Sequence, residues 1–136
     1  MSVARRKTAR KKRTRRVKSA AVKPLLSVRA LASVLDNLVA SALDDMKAVN
    51  VKVIDVRKLS DIFDTLVIAS GNSDRHVRSI AERLVQQAKA AGHRPLGVEG
   101  QKTGDWVLVD LGDFVVHVML PRVREFYGLE KLWTVS

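Results

Sequence analysis

The sequence predicts an α+β fold, a single α/β sandwich in which helices pack on a mixed five-stranded sheet. Three observations carry this. Along residues 27–133 the apolar residues switch between helical and strand spacing, in the order helix, two strands, helix, three strands, short helix. Gly112-Asp113 separates two strand-like runs, which marks a tight hairpin. The run Thr65-Leu66-Val67-Ile68-Ala69 is apolar without alternation, as expected of a strand covered on both faces. No segment repeats along the chain.

Each element has its own signal. From about Ser27, the residues Leu31, Val34, Leu35, Leu38, Val39, Ala42, Leu43 and Met46 recur at helical spacing, giving a first helix that ends near Ala48. Residues 51–56 read as a strand, 60–64 as a turn or short helix, and 65–69 as the second strand. After Gly71 one apolar face is formed by Val77, Ile80, Ala81, Leu84, Val85, Ala88 and Ala91. Asn72 or Ser73 supplies its N-cap, Asp74 suits the positive helix start, and Gly92 with Pro95 stops it. A short strand over 96–99 and a turn-rich stretch over 100–104 lead into strands at 106–110 and 114–120. Pro121 ends the sheet, 122–127 is a short helical turn, and 129–133 closes the fold.

The chain has 136 residues, the size of one domain, and a net charge of +11. The charge is unevenly placed. The first thirty residues hold twelve Lys and Arg and no acid, whereas residues 31–136 have a net charge of −1. Residues 1–26 are therefore expected to be a disordered basic tail on a single domain spanning 27–136. Within the tail, Arg10, Lys11, Lys12, Arg13, Arg15 and Arg16 read as a nucleic-acid arm, with RNA as its contact, acting through counterion release. A solvated, dispensable extension reads equally well, and an organelle transit peptide is the third reading. The absence of cysteine excludes a disulfide scaffold and a zinc-thiolate site. No apolar run reaches the roughly 18 residues of a membrane helix, and no apolar stretch of a secretory signal follows the basic block. A cytoplasmic protein without membrane association is expected.

The hairpin is the most informative motif. A two-residue Gly112-Asp113 loop sets Leu111 opposite Phe114, Val109 opposite Val116 and Val107 opposite Val118. That face is wholly apolar and belongs to the core. The other face pairs Trp106 with Met119, Leu108 with His117 and Asp110 with Val115. Large apolar groups mixed with an imidazole and a carboxylate suit a recognition surface with Trp106 and Met119 at its centre. The competing reading is that the first helix covers this face and His117 is a satisfied core histidine. Ser70-Gly71-Asn72-Ser73-Asp74-Arg75-His76 stands where a strand passes into a helix, so its amides are candidates for holding a phosphate. A glycine turn with a helix cap explains the same residues, although Arg75 and His76 could still point at a partner. His76, His93 and His117 are scattered, and neither Glu99 nor the Asp110 and Asp113 pair converges on a metal or an acid–base centre. No metal, cofactor or catalytic residue is expected.

Taken in order, Ser70-Gly71 with Ser73 and Arg75-His76, Pro95-Leu96-Gly97-Val98-Glu99-Gly100, Trp106-Val107-Leu108-Val109-Asp110-Leu111-Gly112-Asp113, Val115-Val116-His117-Val118, Arg124-Glu125-Phe126-Tyr127 and Leu129-Glu130-Lys131-Leu132-Trp133 closely resemble the ribosomal silencing factor family, also called Iojap-like. The resemblance covers about residues 31–133 and leaves the tail outside. It implies a nucleotidyltransferase-like fold without catalytic residues. It also implies a translation repressor that binds the large ribosomal subunit through the ribosomal protein numbered fourteen and sterically blocks joining of the small subunit. Docking of that protein transfers to Trp106, with Asp110, Leu111, Asp113 and His117 carried over as members of the same motif. The factor is expected to act as a monomer on the ribosome, with a homodimer as a state of the free protein. General RNA binding through the tail and nucleotidyl transfer are the competing classes.

Overall fold

The computed structural model describes residues 28–133, with side chains from Val34 onward. The chain divides between Leu35 and Asp36 into two units, and the packing described here lies within the second. The elements are α1 (Val28–Asp45), β1 (Val49–Asp55), β2 (Thr65–Ser70), α2 (Asp74–Ala90), β3 (Gly97–Glu99), β4 (Trp106–Asp110), β5 (Phe114–Met119), α3 (Pro121–Tyr127) and α4 (Leu129–Trp133). Their order is the expected one, with α4 resolved as a helix of its own. The strands form one sheet in the order β1-β2-β5-β4-β3. β2 and β5 are parallel and every other pair is antiparallel, so the sheet is mixed.

Local chemistry explains the boundaries. α1 stops at Asp45, before the expected end near Ala48, because Lys47 turns into the left-handed region at φ 57. The amides of Lys47 and Ala48 then close back onto the carbonyls of Asp44 and Leu43 at 3.0 and 2.9 Å. Apolar spacing could not reveal this stop, since Met46 keeps the helical rhythm. α2 ends the same way, with Gly92 as the left-handed residue and the His93 amide on the Ala88 carbonyl at 2.8 Å. At its start the Ser73 hydroxyl accepts the His76 amide at 3.0 Å, so Ser73 is the cap. β1 is bulged between Val49 and Lys52, with Asn50 at φ 50.

The sheet packs against side chains on both faces, fully on one and in part on the other. On one side Val67, Ala69, Val107, Val109, Val116 and Val118 are buried, and α2 contributes the buried Val77, Ile80, Ala81, Leu84 and Ala88. The later turns of α1 add Val39 and Leu43, which share a groove with Val67 and Phe114. On the other side Val56, Leu66, Ile68, Met119 and Val123 form a second core, against which Phe63, Leu129 and Trp133 pack. Phe63 meets Trp133 edge-on with centroids 5.5 Å apart. Arg124 ties α3 to the sheet. It is 9% exposed, donates to the Ser70 hydroxyl at 2.9 Å and pairs with Glu130 at 2.9 Å.

Candidate functional site

β4 and β5 pair in the expected register: Trp106 with Met119, Leu108 with His117 and Asp110 with Val115. Gly112 at φ 93 allows it, because positive φ at the first loop residue alone fits the II′ hairpin class that follows strand twist. Alternation then separates the faces. Val107, Val109, Val116 and Val118 have no exposed surface, whereas Trp106, Leu108, Asp110, Val115 and His117 are half-buried.

Aromatic contacts organise the half-buried face. The Trp106 indole N–H donates to His117 Nδ1 at 2.9 Å. Its ring lies against Tyr127 with centroids 5.0 Å apart, and Phe126 meets Tyr127 edge-on at 5.0 Å. Phe126 is 80% exposed and Tyr127 57%. The aromatic surface therefore runs outward from a held tryptophan to two exposed rings on α3. Sequence reasoning did not place Phe126 and Tyr127 here. The available signal was the adjacent pair Phe126-Tyr127 in the short segment between Pro121 and Gly128, too short to turn both rings into a core.

Electrostatics single out His117. Burial pushes its imidazole down to about 4, so the ring is neutral near pH 7. The other histidines are used structurally. His76 accepts the Asn72 amide at Nδ1 and meets the Met46 carbonyl through Nε2 at 2.7 Å. His93 Nε2 meets the Leu111 carbonyl at 3.0 Å. Burial also raises the Asp110 carboxyl, opposed by the Gly112 amide that donates to it at 2.9 Å. Glu99 pairs with Leu108 across β3 and β4, so it stands on the same face as Leu108 and His117.

The structure brings together only part of the expected set. Trp106, Leu108 and His117 are adjacent, Asp110 lies toward the hairpin tip, and Asp113 is in the tip itself. Two members need correction. Met119 is fully buried because α3 lays Val123 over it, so it belongs to the second core and not to the centre of an exposed patch. Leu111 is 2% exposed, so it too cannot meet a partner. The phosphate-holding reading of the Ser70–His76 turn is corrected as well. Its amides at Gly71, Asn72 and His76 already donate to Met119, His76 and Ser73, and His76 does not point at a partner. The competing reading, cover by α1, is replaced by partial cover from α3 and α4. Arg10, Lys11, Lys12, Arg13, Arg15 and Arg16 lie outside the described residues.

A mixed-sheet α+β domain with one aromatic-rich, half-covered sheet face is the class that these features define. The chain belongs to the ribosomal silencing factor family: the family model described as "Ribosomal silencing factor during starvation" matches residues 30–136. It is 42% identical over 99 residues to the ribosomal silencing factor RsfS of Chromobacterium violaceum, covering 73% of this chain and 81% of the relative. The corresponding protein of Haemophilus influenzae is 44% identical over 91 residues, 67% of this chain and 89% of that one. A mouse protein named for mitochondrial assembly of the ribosomal large subunit is 38% identical over 102 residues, spanning 73% of this chain but 45% of its own length. A crystal structure from C. violaceum superposes with a TM-score of 0.73 at 40% identity, covering 76% of this chain and 89% of that one. One from Bacillus halodurans gives 0.69 at 40% identity, covering 76% and 98%.

Proposed function

We propose that this chain binds the large ribosomal subunit through the ribosomal protein numbered fourteen. In the cytoplasm it thereby blocks joining of the small subunit and represses translation by occlusion, without turnover or cofactor. The observation that carries this reading is the aromatic face of Trp106, Tyr127 and Phe126, partly exposed on β4 and α3. Family membership supports it. Exposed aromatic anchors over an apolar, half-covered base are the composition of interface centres. Leu108, His117 and Asp110 border the anchors, and Asp113 stands at the rim. The basic residues 10–16 supply a ribosomal RNA contact, and the free protein self-associates through the same face.

Sedimentation of the full chain with separated subunits in sucrose gradients tests this. The chain should travel with large subunits only and reduce their joining with small ones, and Trp106→Ala should lose both properties. Binding to bare ribosomal RNA as tight as to intact subunits would favour RNA binding led by the tail. Magnesium-dependent nucleotide transfer abolished by Asp110→Asn would favour an enzyme.

A further inference from the structure

We infer that His117 is a specificity-setting hydrogen-bond donor of this face, presenting Nε2–H to a main-chain carbonyl of a docked protein. The inference rests on the docking reading above and adds the chemistry of the partner. An indole N–H can only donate, so the 2.9 Å contact from Trp106 requires a lone pair on His117 Nδ1. In a neutral imidazole the proton must then sit on Nε2. The tautomer is set from inside the protein, by a residue of the docking face itself. His76 is set in the same way by the Asn72 amide, and its Nε2 is satisfied by a main-chain carbonyl. His117 has no such acceptor for Nε2 among the described residues.

The surroundings select a neutral acceptor. On this face the ionisable groups beside His117 are Glu99 on β3 and Asp110 on β4. The neighbours on β2 and β5 are Leu66, Ile68, Val115 and Met119. From α3, Tyr127 faces Trp106 and Arg124 is already engaged by Ser70 and Glu130. A phosphate or carboxylate brought here would meet the two carboxylates of the strands that flank His117. Burial holds the ring neutral, so it offers no charge to attract an anion. A backbone carbonyl meets both conditions, and a basic protein surface around it would complement Glu99 and Asp110.

The test is co-sedimentation with purified large subunits at pH 7.5, using the full chain as wild type, His117→Phe, Trp106→Phe and the double variant. His117→Phe should weaken binding about tenfold, the size expected when a half-buried polar contact is lost. The informative comparison is made in the Trp106→Phe background, which has no indole N–H to hold. There, His117→Phe should still cost about tenfold, and His117→Gln should recover most of it by restoring an N–H. If His117→Phe is silent in that background, the histidine only steadies the indole and the inference is overturned. An equal loss on bare ribosomal RNA would make the occupant a nucleic acid and overturn it too. Failure of the folded wild type to bind large subunits would instead overturn the docking reading itself. Should the phenylalanine variants not fold, nitrogen–proton NMR correlation of the wild-type imidazole decides, because an Nδ1–H tautomer contradicts the inference.

Discussion

Trp106 is held from two sides, by His117 through a hydrogen bond and by the Tyr127 ring. Its truncation should therefore act on stability as well as docking. Trp106→Ala is expected to weaken large-subunit binding about thirtyfold, roughly 2 kcal/mol. It should also lower unfolding free energy by about 1–2 kcal/mol, less than the 3–5 kcal/mol of a fully buried aromatic. Parallel sedimentation and urea denaturation measure the two effects. Met119→Ala should behave as a core change, costing about 2–4 kcal/mol, and a variant of unchanged stability would contradict its assignment to the second core. His117 also makes stability depend on pH. Its folded value of about 4 lies below the ordinary 6.5. Above pH 6.5 neither state binds the proton and the residue contributes no pH dependence. Between 6.5 and 4 the unfolded chain takes up a proton that the folded chain refuses, so stability falls with pH. The loss is about 3 kcal/mol at most. Urea titrations across that window should show a shallower decline for His117→Phe than for wild type.

At the scale of elements, two glycines with nearly the same backbone angle separate conformational strain from steric exclusion. Gly112 has φ 93, and a Cβ there would meet only the Leu96 side chain at 3.8 Å. Gly100 has φ 90, but its Cβ would fall on the Trp106 carbonyl oxygen. Gly112→Ala should cost about 1–2 kcal/mol, the left-handed penalty alone. Gly100→Ala should cost clearly more, because the start of β4 must also move. Equal melting temperatures for the two variants would refute the distinction. Ser73→Ala removes the cap of α2 and should cost about 1 kcal/mol. The effect of the Gly100 change should extend to docking, since the displaced carbonyl belongs to Trp106.

For the whole molecule, the charge asymmetry separates two roles. Residues 1–24 carry eleven positive charges, while residues 31–136 have a net charge of −1. Deleting 1–24 should leave the melting temperature unchanged, because that stretch has no aromatic residue and too few apolar residues to add to a core. If the arm touches ribosomal RNA, the shortened chain should bind large subunits less tightly at low salt. Its salt slope should be shallower by about 0.7 for each lost phosphate contact with a single strand. An unchanged slope would make the tail a passenger, and loss of binding at every salt would move recognition from the body to the tail. The acidic Glu99 and Asp110 on the aromatic face favour the first division of labour, with protein docking on the body and RNA contact on the arm.

The sequence by itself determined the order of elements, a cap of α2 at Asn72 or Ser73, the Gly92 stop and the register of the β4–β5 hairpin. All of these follow from short-range patterns: spacing, a capping side chain, a glycine and a two-residue turn. It also separated the apolar face of the hairpin from the mixed one, because alternation is a local property of a strand. It could not say what lies over the mixed face. α3 and α4 follow the hairpin closely in the chain, but their fold back onto it depends on Arg124 reaching Ser70, 54 residues earlier, and Glu130. That return buries Met119 under Val123 and sets Tyr127 against Trp106, dividing one sheet face into a second core and an aromatic surface. The same holds for His117. Its residue type and strand position were legible, but its tautomer and its neutrality were decided by the indole beside it and by burial among side chains from several elements. Those are properties of the assembled layers, and no local pattern encodes them.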